Sequence, residues 1–425
     1  MMAQSNKLYE RLQLFSGGGS RFGYYLGSYA ALVDNDLIPD IIIGTCGGSL
    51  SALLVHLAPD PKQLQQLAYS AELYRVIKAI RHVAAHEANI GLKLRYSTQA
   101  IKRWRLSRNT AQRHHRLAET HKQLLDELQQ LAMFRVDNEE QWLDELLQFL
   151  PKDVLSDARQ EGSFKPSAPD IAIIASRLQP AVNSAHHHDS NVAALQPETA
   201  KGSAQLQELL FAPKRLSLNA NDNAELALSN TLVAPAHFLA NGRIQPAVKT
   251  VTEWDFATAV RASMADMYYL PPIEDQDLGW CLGGVINLTP VELGCQLATT
   301  VFAESKAGYD LWLAAPAIQR VFGFDPNQRL AQVHSFSPSF SPSIHPHFSA
   351  NYSPNASGQD NSQLHWLPFA DNGQQLSGQV QKRFSLQQLT VELIHSDYDG
   401  FVEQMQAQWQ YGYQRTADYI QQQGL

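Results

Sequence analysis

Two glycine clusters, separated by about one helix-length of chain, constrain the fold more than any other feature. They lie in residues 14 to 50, LFSGGGSRFGYYLGSYAALVDNDLIPDIIIGTCGGSL. Each cluster follows a short apolar run, Leu12 to Phe15 and Ile41 to Ile43, and an amphipathic stretch lies between them. That order predicts strand, helix, strand. Two parallel strands need such a crossover, and its fixed hand brings the carboxyl ends of both strands to one edge of the sheet. The two glycine clusters are therefore expected to face each other.

The second cluster, Gly44-Thr45-Cys46-Gly47-Gly48, has the G-x-S-x-G form of a nucleophile elbow with cysteine at the centre. Small residues flank the central one in such a motif because a sharp strand-to-helix turn forces its neighbours together and lifts one side chain above the sheet. The first cluster, Gly17-Gly18-Gly19, offers backbone N–H groups where a helix begins, and these can hold an anion or a developing oxyanion. A lifted nucleophile facing an oxyanion cradle points to acyl transfer.

The chain has 425 residues, enough for a large core and for either one elaborated α/β domain or several domains. Its 41 acidic and 33 basic residues give a formal charge of -8, which argues against nucleic acid as a partner. The first fifteen residues lack a basic stretch followed by an apolar one, and no window approaches the length of a membrane span. These features predict a soluble cytoplasmic protein. Cys46, Cys281 and Cys295 are odd in number and have no C-x-x-C spacing, so they are expected to be reduced thiols, with no thiolate metal site. No cofactor is expected.

After the elbow, Ser49 to Leu57 is expected to be a helix closed by Pro59 and Pro61. Residues 62 to 150 carry apolar residues at helical spacing with no strand-like run, which predicts an almost wholly helical stretch. Part of it is basic, with Lys93, Arg95, Lys102, Arg103, Arg105, Arg108, Arg113 and Arg116 interleaved with Leu94, Tyr96, Ile101, Trp104 and Leu106. A solvated helix face is the preferred reading of this segment, and peripheral contact with an anionic membrane is the alternative. Pro169 to Ser176 reads as a buried strand. The histidine run His186 to His188 is read as part of a loop because consecutive residues cannot all face one metal ion in regular structure, and the pair His345 and His347 is read as part of a polar loop because its spacing alone is weak support for a metal site. Residues 334 to 363, rich in Ser, Pro and Asn, predict a surface insertion or linker. Phe401, Met405, Trp409, Tyr413 and Ile420 recur at helical spacing and predict a helix docked by that stripe.

Several of these motifs resemble the patatin-like phospholipase family. Gly17, Gly18, Gly19, Arg21 and Gly27 fall in the register of the family's first motif, with Phe22 replacing one glycine, and Gly44 and Gly48 match its serine motif with Cys46 in the serine's place. Residues 257 to 273, ATAVRASMADMYYLPPI, resemble the family's A-x-x-A-S-x-x-x-P segment. Residues 280 to 291, WCLGGVINLTPV, align with its D-G-G segment at Gly283, Gly284, Asn287 and Pro290, with Leu282 where the family has its catalytic aspartate.

The resemblance implies a three-layer α/β/α fold on a mostly parallel sheet. The α/β domain is expected over residues 8–316 with a helical insertion at about 62–160 that covers the site, followed by a variable segment at 317–384 and C-terminal helices at 385–425. It also implies a lipid, acyl-ester or thioester substrate and an oxyanion hole at Gly17 to Gly19. Leu282 cannot accept a proton, but a thiol needs less activation than a hydroxyl, and a helix N-terminus favours the thiolate. Arg21, if turned inward, would add to this. Asp277, Asp275, Glu274 and His237 are the candidates for a replacement acid or base. The first hypothesis is a cysteine-based lipid acyl hydrolase or acyltransferase. The second is an inactive protein of the same fold that binds lipid, an acyl chain or a protein. A nucleotide-binding reading of the glycine run fails for want of a G-K-[ST] ending or a ribose-binding acid.

Overall fold

The computed structural model describes residues 7–17, 19–83, 98–99, 101–103, 105, 121–148, 168–179, 204–217, 243–245, 247–311, 314–336, 362–377, 383–385, 390–392 and 397–425. Strand β1 (Tyr9–Phe15), helix α1 (Gly23–Asp34), strand β2 (Ile41–Thr45) and helix α2 (Gly47–Leu57) form the expected unit. Strands β1 and β2 pair in parallel with Leu12 opposite Ile41 and Phe15 opposite Gly44, so both glycine clusters emerge at the same sheet edge.

Helices α3 (Pro61–Ala68) and α4 (Ala71–Lys78) follow. Pro61 opens α3 rather than closing α2: Asp60 caps the helix by accepting from the amides of Lys62 and Gln63, and proline fits the first turn, where its missing N–H goes unused. The insertion also contains two short strands where the sequence shows no strand-like run. Strands β3 (Ile80–His82) and β4 (Phe134–Val136) form an antiparallel pair, with helix α5 (His121–Leu131) just before β4. Three-residue strands fall below the length at which alternation is visible in sequence.

Strands β5 (Asp170–Gln179), β6 (Gln205–Phe211) and β7 (Lys249–Val251) extend the sheet beyond β2. Helix α6 (Phe256–Met264) leads to the hairpin of β8 (Ile273–Asp275) and β9 (Gly279–Leu282). Helix α7 (Val291–Leu297), strand β10 (Ala298–Glu304), helices α8 (Ala314–Phe322) and α9 (Pro326–Ser335) and strand β11 (Gln363–Leu367) follow. The main sheet runs β11-β10-β1-β2-β5-β6-β7, parallel except between β5 and β6, with β9 antiparallel to β5 and β8 antiparallel to β9. It is a mostly parallel α/β sheet with helices on both faces, as expected.

The sheet does not end at residue 316, because β11 from the segment read as variable pairs with β10. The last segment likewise contains a small hairpin, β12 (Arg383–Ser385) and β13 (Thr390–Glu392), before helix α10 (Tyr398–Gln423). On α10 the predicted stripe is buried at Phe401, Met405, Trp409 and Ile420, while Tyr413 is half-buried. This helix crosses α1 so closely that a Cβ on Gly27 would lie 2.0 Å from the Trp409 carbonyl oxygen and one on Gly412 would lie 1.9 Å from that of Tyr24.

Of the basic segment, Lys102 and Arg105 are exposed, whereas Arg103 is buried and donates to the Leu131 carbonyl at 2.7 Å. Lys93, Arg95, Arg108, Arg113 and Arg116, with Leu94, Tyr96, Trp104 and Leu106, lie outside the described residues, as do His186 to His188, His237, His345 and His347. Among the described residues no helix is long and apolar enough to cross a membrane. The three cysteines are buried thiols.

Candidate active site

Cys46 is the first residue beyond β2 and the N-cap of α2, and its backbone sits at φ 51°, ψ -123°. A side chain at positive φ meets its own backbone, so this is a strained position for anything but glycine. The flanking glycines are explained by contact. A Cβ on Gly48 would lie 1.9 Å from the Phe15 carbonyl oxygen, and one on Gly44 would lie 2.7 Å from Ser49 Cα. The turn is tied from both sides: the Ser49 amide donates to the Cys46 carbonyl at 3.0 Å, and the Cys46 amide donates to Ser263 Oγ at 2.8 Å. Ser263 in turn donates to the Ile174 carbonyl of β5 at 2.6 Å, so the serine of the A-S segment acts as a brace between α6, the elbow and the sheet.

The glycine loop meets the elbow as expected. A Cβ on Gly17 would stand 3.2 Å from Cys46 Cβ, and one on Gly47 would stand 2.6 Å from the Gly19 carbonyl oxygen. Gly19, at φ 59°, begins a short 3-10 turn, Gly19–Arg21, that leads into α1; Gly18 lies outside the described residues. The loop rests on a buried polar cluster. Lys306 donates to the Gly17 carbonyl and pairs with Glu304 at 2.8 Å, and Glu304 accepts from the hydroxyls of Tyr24 and Tyr25. Gln408 of α10 holds the start of α1, accepting from the Gly23 amide at 2.7 Å and donating to the Ser20 carbonyl at 3.2 Å. Arg21 does not point inward; it donates to Asn372 Oδ1 at 2.9 Å.

Leu282 is fully buried at the end of β9 and packs in an apolar cluster with Leu178, Tyr268 and Val285. The carboxyl that meets the Cys46 thiol is Asp266, which lies inside the A-S segment at a position that no motif marks. It stands two residues past the end of α6, and its side chain interacts directly with that of Cys46. Its carboxyl lies so close over Gly283 that a Cβ there would fall 1.8 Å from Oδ1.

The other candidates are elsewhere. Asp275 accepts from the amides of Asp277 and Leu278 in the β8–β9 turn and acts on the Cys281 thiol, Asp277 faces Lys249, and Glu274 is exposed. Only spatial packing, not spacing, marks Asp266, because it belongs to a different segment from the family's aspartate.

The electrostatics differ from the thiolate expected at a helix N-terminus. Burial pushes the Cys46 thiol well above its ordinary range, the nearby Asp266 carboxylate pushes it further, and the Gly47 amide and Lys306 oppose this only in part. Burial likewise raises Asp266 from 3.8 to about 6, against the lowering effects of Cys46 and Lys306. The resting pair near neutral pH is therefore a thiol beside a carboxylate.

A narrow cleft opens onto Cys46, lined by Phe22, Leu50, Ile77, Ile80, Met264 and Tyr269. Ile77 and Ile80 come from α4 and β3, so residues of the insertion line the cleft. It is fastened there by the amides of Met133 and Phe134, which donate to the carbonyls of Tyr268 and Tyr269 at 2.8 and 2.9 Å. Among the described residues no cluster of histidine, cysteine or carboxylate side chains could hold a metal ion.

A strand-to-helix elbow carrying a thiol, set against a glycine loop on a mostly parallel sheet, defines a protein of the patatin type. Residues 14–293 match the patatin-like phospholipase family, and the chain belongs to it. A patatin-like phospholipase domain-containing protein of Aspergillus clavatus is 46% identical over 67 residues, 16% of this chain and 9% of that protein. One from Coccidioides immitis is 47% identical over 64 residues, 15% of this chain and 8% of that protein. These matches span about a tenth of the relatives' own length. Among solved structures, VipD from Legionella pneumophila aligns over 99% of this chain and 69% of its own at 10% identity and a TM-score of 0.32.

Proposed function

We propose that this chain is a lipid acyl hydrolase or acyltransferase in which Cys46 takes an acyl group from an ester or thioester and passes it to water or another acceptor. The observation that carries the reading is the Cys46 backbone, a non-glycine residue held at φ 51°, ψ -123° where the apolar cleft opens. Such a conformation costs about 1–3 kcal/mol and persists where the surroundings enforce it, commonly at functional sites. The apolar lining of the cleft suits an acyl chain, and the glycine loop Gly17 to Gly19 is the source of N–H donors for the oxyanion, with Gly44 and Gly48 allowing the elbow and Gly283 and Gly284 the close packing beside it. Arg21 serves the fold through Asn372 rather than the chemistry. Peripheral contact with a membrane would bring in the lipid, and the exposed Ile101, Lys102 and Arg105 favour it.

The test is release of p-nitrophenol from acyl esters and of fatty acid from phospholipid vesicles, comparing wild type with Cys46→Ala. Loss of both activities in the variant is expected; turnover equal to wild type would defeat the reading. The burial that keeps Cys46 a thiol favours a second reading, an inactive protein that binds lipid, an acyl chain or a protein partner. Lipid that co-purifies in stoichiometric amount without turnover by wild type would establish it.

A further inference from the structure

We propose that Asp266 is the general base for Cys46, so that the carboxylate serving the nucleophile stands on the turn after α6 instead of at position 282. This rests on the nucleophilic reading of Cys46 and names the missing partner of that same site. Four observations place it there. The Asp266 side chain meets the Cys46 side chain directly. Its Oδ1 is buried and has no hydrogen-bond donor, which leaves a free lone pair at the site. Its carboxyl fills the space over Gly283 that any other residue would occupy with its own Cβ. The turn that presents it is held on both sides: the Asp266 amide donates to the Met264 carbonyl at 2.7 Å, the Tyr269 amide donates to the Asp266 carbonyl at 2.6 Å, and the Gly283 amide donates to the Ala265 carbonyl at 2.8 Å. Met267 next to it adopts φ 41°, a second non-glycine residue at positive φ in the site.

The chemistry balances with water as the only co-reactant. The Cys46 sulfur attacks the acyl carbonyl carbon while its proton passes to an Asp266 oxygen. Collapse of the tetrahedral intermediate breaks the bond from carbon to the leaving oxygen or sulfur, and the leaving group takes the proton from Asp266. Water then attacks the thioester carbon and gives a proton to Asp266, and the expelled thiolate recovers that proton as the acid departs. A base with a pKa near 6 is suited to this exchange, because it is ionised at neutral pH yet can hold a proton during the step. The other ionisable groups facing the pair are Lys306 beyond β10, Tyr269 on the turn after α6 and Tyr309 beyond β10; burial raises both phenols, so neither titrates near neutrality.

The test compares wild type, Asp266→Asn and Cys46→Ala in two assays: the pH profile of kcat/KM on an acyl thioester, and the rate of Cys46 alkylation by iodoacetamide at pH 8. Wild-type kcat/KM should rise with pH through about 6 and then level. Asp266→Asn should lose that limb and about 10²–10⁴-fold in rate, yet be alkylated faster, because the carboxylate that holds the thiol protonated is gone. A merely structural role for Asp266 would not raise thiol reactivity while lowering acyl transfer. An unchanged rate, slower alkylation in the variant, or a flat wild-type profile between pH 4.5 and 8 would overturn the proposal. If Cys46→Ala is inactive while Asp266→Asn is not, the nucleophile stands and the base fails; if Cys46→Ala retains activity, both fail.

Discussion

Replacing Cys46 by alanine and, separately, by glycine isolates the strain at the elbow. Both substitutions remove the thiol and its interaction with Asp266, so the difference between them reports the backbone alone. At φ 51°, ψ -123° alanine keeps the clash between Cβ and backbone, whereas glycine has none. Relief of that strain is worth about 1–3 kcal/mol. Against it stands the greater freedom of glycine in the unfolded chain, about 0.4–1 kcal/mol. The glycine variant should therefore be more stable than the alanine variant, by about 1 kcal/mol. At an ordinary helical position the order is reversed, with glycine worse by roughly 0.5–1 kcal/mol. Urea denaturation followed by far-UV circular dichroism, with both variants at equal concentration, gives the sign directly. A glycine variant less stable than the alanine variant would refute the strained elbow, and with it the observation on which the functional reading rests.

Restoring an acid at the family's position by Leu282→Asp should destabilise the fold by about 3–5 kcal/mol without raising ester turnover, because the new carboxylate enters an apolar cluster; a thermal melt and an esterase assay check this. Lys306→Met should cost about 3 kcal/mol in denaturant unfolding, because it leaves Glu304 buried beside two phenols without its cation. It should also shift the acid limb of the pH–rate profile upward, since Lys306 lowers the pKa of Asp266. Glu208 is buried beside Asn287, and burial raises its pKa from 4.5 to about 7 against the lowering effects of Asn287 and Arg329. The folded state therefore holds a proton that the unfolded state has lost between those values, and this site's contribution to stability falls as pH rises through that window. Glu208→Gln should gain on wild type by up to about 3 kcal/mol between pH 4.5 and 8 in chemical denaturation.

The part of the fold that positions the site was legible because its constraints are local. A glycine run after an apolar strand, repeated one helix later, admits few arrangements, and β1, α1, β2 and α2 follow from it. Ser263 was visible as part of a motif, but its role as a brace between Cys46 and β5 depends on two hydrogen bonds across the fold. Asp266 lies within the A-S segment, but nothing in spacing indicates that a residue just past α6 returns over Gly283 to the elbow. The expectation of a thiolate failed for a related reason. A helix N-terminus can be read from sequence, whereas burial and an approaching carboxylate cannot, and here they outweigh it. Strands β3, β4 and β11 were missed because three- to five-residue strands are set by pairing partners distant in the chain.

The most direct test of the account is intact-protein mass spectrometry after brief incubation with acyl p-nitrophenyl esters and acyl thioesters, followed by peptide mapping and treatment with neutral hydroxylamine. The account predicts one acyl adduct per chain, located on Cys46, discharged by hydroxylamine as a thioester is, and absent from Cys46→Ala. An acyl adduct on another residue, or turnover by wild type with Cys46 never acylated even in rapid-quench samples, would contradict it.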